Sequence, residues 1–201
     1  MRLTIRWIFV TAVLAAAACS DSAGPSQRPA ADLNIVKSKS GQATFADTVV
    51  SFWARQGSGS EGRLYFAAAD GSRGEEFARL TLKSGSLLRR PDGTLVLPGD
   101  SVLITMRVPD PGKLLVEFTP TGLVFDPAEP AELRMRFSEG SDDLNGDGTV
   151  NGRDTTVQDS LAIWRQEVPG TPYVRLNSSL LLALKESDAP LLGFTRYALA
   201  Y

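Results

Sequence analysis

From Thr48 onward the chain is a series of short apolar runs separated by turn residues. Val49-Val50-Ser51-Phe52-Trp53 reads as a strand, Leu64-Tyr65-Phe66 as a second across a Gly/Ser-rich loop, and Phe77 to Leu82 as a third with Leu80 and Leu82 on one face. Pro91-Asp92-Gly93-Thr94 turns the chain into Leu95-Val96-Leu97, and Pro98-Gly99-Asp100 turns it again into Val102 to Val108. Leu114 to Phe118 and Leu133 to Phe137 follow, and Tyr173 to Leu176, Leu180 to Leu184 and Leu191 to Tyr201 supply returning strands. Arg134 and Arg136 alternate with Leu133, Met135 and Phe137, giving one wet face and one buried face. Strands recurring at about 8–12 residues with turns between them predict a mainly β chain, an antiparallel β-sandwich over residues 48–201.

One stretch departs from this period. Asp154 to Glu167 has helical spacing, with Val157, Leu161 and Trp164 on one face and no Gly or Pro before Pro169. It predicts a short helix docked on the sandwich through Trp164. With the preceding loop it would form an insertion at about 139–170, between two strands.

The N-terminal pattern is different again. Met1 to Ala18 has a basic start at Arg2 and Arg6, an apolar run from Trp7 to Leu14 and four alanines before Cys19, which reads as a secretory leader. Ala16-Ala17-Ala18-Cys19 resembles a bacterial lipobox, which implies that Cys19 is the lipidated first residue of the mature chain; ordinary cleavage after Ala16-x-Ala18 is the alternative. Ser20 resembles the following residue of lipoproteins sent to the outer membrane, so the expected location is the cell envelope, with the membrane as partner through the lipid. Ser20 to Lys39 is rich in Ser, Ala, Pro, Gln and Gly, and residues 19–47 are expected to tether the domain.

The segment with the most specific chemistry is Asp143 to Asp154, DLNGDGTVNGRD. A hard cation takes about 6–8 oxygens, and an EF-hand-type loop draws them from positions 1, 3, 5, 7, 9 and 12 of twelve residues, with Gly at the sixth. Those positions are Asp143, Asn145, Asp147, Thr149 through its backbone carbonyl, Asn151 through water, and Asp154, with Gly148 at the turn. The expected cofactor is Ca2+, bound at roughly 10⁻⁴–10⁻³ M as in extracellular modules. A Gly/Asn/Asp-rich turn that only reverses the chain is the alternative. The loop resembles that of type I dockerins, which carry two loops in tandem and dock a protein partner; this chain has one.

Composition narrows the remaining chemistry. The 201 residues include no histidine and one cysteine, which removes imidazole-based catalysis, most zinc sites and any intrachain disulfide. The formal charge of −2 and the absence of a basic cluster larger than Arg89-Arg90 exclude a nucleic-acid partner. Glu75, Glu76, Glu129 and Glu132 could serve a hydrolase acting on glycans, yet no spacing among them favours a catalytic pair.

Leu97-Pro98-Gly99-Asp100, then Pro120-Thr121-Gly122-Leu123-Val124-Phe125, then Pro130-Ala131-Glu132-Leu133, with Gly193 to Ala198 as a closing strand, is similar to the ZU5-like β-sandwich domains of bacterial surface lipoproteins. That resemblance implies a fold and a binding or structural role, with the protein or glycan ligand unknown. Some members self-cleave at a histidine-containing triplet; the matching Gly193-Phe194-Thr195 has no histidine to assist it. The expectation is a non-enzymatic, calcium-binding, membrane-anchored module, with a dockerin-like adaptor in a polysaccharide-degrading assembly as the alternative.

Overall fold

The computed structural model describes residues 26–39 and 45–201. In chain order the elements are β1 (Gln27–Arg28), β2 (Val49–Arg55), β3 (Ser60–Ala67), β4 (Arg73–Leu82), β5 (Leu87–Arg89), β6 (Ser101–Arg107), β7 (Leu115–Thr119), β8 (Val124–Phe125), β9 (Ala131–Arg136), the helix α1 (Gly152–Gln158), β10 (Ala162–Gln166), β11 (Tyr173–Arg175), β12 (Ser179–Leu181), a 3₁₀ turn at Leu182–Leu184, β13 (Glu186–Leu191) and β14 (Arg196–Ala200). The chain is mainly β, with antiparallel sheets and one short helix, as the alternation predicts.

A seven-stranded sheet runs β1-β11-β10-β14-β7-β6-β2 and a five-stranded sheet β12-β13-β9-β4-β3, with β5 and β8 paired separately. Period-2 alternation turns one face of each sheet inward. Ile104, Met106, Val116, Phe118 and Tyr197 from the first meet Leu64, Phe66, Leu80, Leu133 and Met135 from the second in one buried cluster. The outer face of the five-stranded sheet is tied by charge across the strands. Arg134 Nε donates to Asp188 at 2.9 Å, and Arg136 donates to Glu186 and Glu75 at 3.1 Å each.

Several expectations need correction. The helical spacing of 154–167 does not produce one helix: α1 ends at Gln158, and Ala162–Gln166 is a strand in the interior of the seven-stranded sheet. Trp164 is buried as expected of a packing residue, but from β10, with Nε1 donating to the Ala200 carbonyl at 3.1 Å. The inserted unit therefore ends before β10 and links one sheet to the other. Leu95-Val96-Leu97 forms no strand, only a bridge from Leu95 to Arg89. Leu180–Leu184 is divided between β12 and the 3₁₀ turn, and the strand expected from Leu191 is divided between β13 and β14.

Residues 26–39, expected to be tether, lie on the sandwich. β1 pairs with β11, and Ile35, Lys37 and Ser38 bridge to Ala200, Lys113 and Gly140. Leu33 joins Leu115, Trp164, Tyr173 and Ala198 in a second buried cluster, with the Arg28 guanidinium 5.5 Å from the Trp164 ring centroid. The outer face of the seven-stranded sheet is apolar here, and this strap covers it.

Candidate metal centre

The segment between β9 and α1, with the first turn of α1, carries every residue assigned to calcium. Its shape follows from side chains that accept from their own backbone. Asp143 takes the N–H of Gly146 at 2.8 Å and of Gly148 at 2.9 Å, drawing the chain into a coil. Both glycines have positive φ, 72° and 86°, a conformation that costs a residue with a Cβ. Asn145 Oδ1 accepts from Asp147 N at 2.9 Å, and Asp147 Oδ1 accepts from both N and Oγ1 of Thr149.

The loop then passes into α1 through a capping box. Asn151 is the N-cap and accepts from Arg153 N at 2.8 Å, while Asp154 returns to Asn151 N at 2.8 Å. Asp154 is buried, and its other oxygen accepts from Leu144 N at 2.8 Å and Asn145 N at 3.1 Å. The twelfth residue thereby clasps the second and third. The N–H groups of Asn151, Asn145 and Leu144 hold the Asp154 carboxyl below the usual carboxylate range. The Thr149 hydroxyl and N–H do the same for Asp147.

Lone pairs decide which oxygens remain available. An ionised carboxylate has about four acceptor sites. Asp143 uses two and Asp147 three on the contacts within the loop. Asp154 uses three on backbone N–H groups. Asp143, Asn145, Asp147 and the exposed Thr149 carbonyl keep acceptor capacity, whereas two-oxygen coordination by Asp154 would require release of backbone bonds. Among the described residues no group of three or more His, Cys, Asp or Glu side chains forms a metal-holding cluster, so a cation here would depend on amide and backbone oxygens as well. An all-oxygen set of this kind suits a hard divalent ion.

Two neighbours were not signalled by the loop's own spacing. Tyr201 donates its phenol proton to the Leu144 carbonyl, so the last strand is bonded to the second loop residue. Burial and the charges of Asp143 and Asp154 raise its pKa. Lys185, at a left-handed φ of 49°, reaches Asp142 at 3.3 Å. A cavity of about 250 Å³ separates the loop from the strap, lined by Leu33, Asn34, Lys37, Asp143, Asn145 and Tyr201. Only the aromatic character of Tyr201 was visible beforehand, and it suggested a strand end. Cys19 and the leader at 1–18 lie outside the described residues.

No protein-family model, curated protein or solved structure matches the chain.

Proposed function

We propose that this chain is a non-enzymatic, calcium-binding β-sandwich module, held at a bacterial envelope membrane by lipid on Cys19. The observation that supports it best is the coiled loop 143–154, where oxygen-bearing side chains at calcium spacing fold over one another while Asp143, Asn145 and Asp147 retain acceptor capacity. In this reading Asp143, Asn145, Asp147 and the Thr149 carbonyl bind the ion, Asn151 acts through water, and Asp154 holds the two ends of the loop together. Bound calcium would supply positive charge among carboxylates that otherwise repel one another.

The adaptor reading has less support, because α1 is seven residues long and only Asp159 to Leu161 separate it from β10. The hydrolase reading loses candidates to ion pairs and a hydrogen bond: Glu75 is paired with Arg136 and Glu76 with Arg79, and Glu129 accepts the N–H of Gly85.

Calorimetric titration of calcium, with melting curves in calcium and in chelator, tests the reading. One site and a raised Tm are expected. A Kd of about 10⁻⁴–10⁻³ M would add about 1.4–2.7 kcal/mol of stability at about 10 mM calcium. Asp147→Ala should abolish most of that gain and change the chelated protein far less. Because Tyr201 is bonded to the loop, terbium bound there should luminesce on tyrosine excitation. No heat and no shift in Tm would reduce the loop to a turn.

A further inference from the structure

The end of the sandwich that carries the loop also receives the chain from its N-terminal side. Ser26 accepts the N–H of Arg175 at 2.9 Å, and Arg175 pairs with Trp164 and donates from Nη2 to the Ser160 carbonyl at 3.2 Å. Ser26 therefore lies beside the junction of α1 and β10. The turn between β12 and β13 stands at the same end: Glu186 is opposite Arg136, where β9 enters the loop, and Phe137 N–H donates to the Lys185 carbonyl at 2.8 Å.

That turn is unusual in its side chains. Leu182–Leu184 has no buried residue, and Leu181, Leu182 and Leu184 are 42%, 41% and 56% exposed. Val150, 69% exposed in the loop, lines one cavity with Lys185, the residue after Leu184. The opposite end has exposed apolar residues as well: Val168 beyond β10, Leu192 beyond β13, and Leu95 and Val124, which both pair with Arg89, with Val124 bridged to Gly193 beside Leu192.

We propose that the loop end of the sandwich lies against a lipid surface, with Leu181, Leu182, Leu184 and Val150 entering its apolar region. The proposal rests on the reading of Cys19 as the lipid-bearing residue. Seven residue steps separate Cys19 from Ser26, and at about 3.3–3.6 Å each they keep Ser26 within roughly 25 Å of the anchor. A short leash attached at this end brings it to the membrane, and an apolar turn ringed by charge is what an interface accepts. Arg153 and Arg175 supply cations for headgroup phosphates, while Lys185 is paired with Asp142 at 3.3 Å. Asp142, Asp143 and Asp147 oppose an anionic surface until a cation occupies the loop.

The test uses the full chain, isolated from producing cells and reconstituted in phosphatidylcholine/phosphatidylglycerol vesicles containing nitroxide-bearing lipid, with calcium present. A fluorophore is placed at the loop end by Leu182→Cys or at the opposite end by Val168→Cys. The label at 182 should be quenched at least about threefold more than the label at 168, as insertion of one end requires. Equal quenching, or stronger quenching at 168, overturns the proposal. So does an unquenched label at 182 together with cross-linking of two copies through that position, which would assign the turn to a second chain. The mass of the mature N-terminus, read on the same sample, reports the anchor independently. A chain without lipid that keeps the contrast on added vesicles would support the docking and refute the anchor, while the melting shift reports calcium separately.

Discussion

Glu117 lies on the outer face of β7 between two arginines from neighbouring strands, Arg107 on β6 and Arg196 on β14. Arg196 also reaches the buried Gln166 on β10, at 3.3 Å, so the carboxylate ties two strand pairings together and Arg196 extends the network to a third. Burial alone would raise the Glu117 pKa, but the hydrogen bonds and charges of Arg196 and Arg107 outweigh it and the net displacement is downward. A lowered folded-state pKa stabilises the protein above the unfolded value, near the ordinary glutamate range, and that contribution disappears as pH falls through the folded value. Glu117→Gln should therefore cost about 1.5–3 kcal/mol in neutral denaturant titrations, the size of charge-assisted bonds. The difference from the parent should shrink steadily as the titrations are repeated below about pH 4.5. A deficit independent of pH would show that the arginines do not depend on the charge.

At the level of elements, legibility followed solvent. β4 and β9 were visible because each has a wet face that keeps the alternation clean, while β2 and β6 were visible as short apolar runs rich in β-branched and aromatic residues between turns. β10 lost that mark: Ile163 faces the main core while Ala162 and Trp164 face the cluster under the strap, so both sides are apolar and the run imitates a helix. β13 failed for the opposite reason, since Glu186 and Asp188 look like loop residues until Arg134 and Arg136 are placed beside them. The candidate site was legible in its residues, because loop spacing is local, but the clasp of Asp154 on the second and third loop residues was not. Its partners, Leu144 and Asn145, are nine or ten residues away. The strap was hidden by its composition, as its apolar content is small: Leu33 and Ile35 meet the cluster under it and Val36 the main core. Leu33→Asp should release it: amide exchange at Arg175 and Tyr201, which donate to Ser26 and Asn34, should accelerate, with β3 and β4 staying protected. Unchanged exchange at both amides would mean that the strap is held by its backbone bridges alone.

Across the whole molecule, the two sheets are joined at one end by the loop and α1, and the same end gathers Ser26, the leucine turn and Tyr201. The candidate loop, Ser26 and Tyr201 are thus gathered where β9 passes into β10, while the β5–β8 pair and the segments around it lie at the other end. The order of the seven-stranded sheet has a further effect. β14 contributes the final strand yet sits between β10 and β7, so the sheet consists of two unconnected parts until Arg196–Ala200 arrives. Deletion from Gly193 onward should leave no cooperative melting transition, whereas a chain with only Tyr201 removed should still melt as a unit; cooperative melting of the shorter chain would contradict this. A chain delivered N-terminus first would expose the unpaired edge of β7, together with the apolar faces meant for Phe194 and Tyr197, throughout its delivery. The interval between the emergence of β7 and of β14 is then the period of greatest danger from neighbouring chains, and a holdase would have to shield that edge until the last strand fills it.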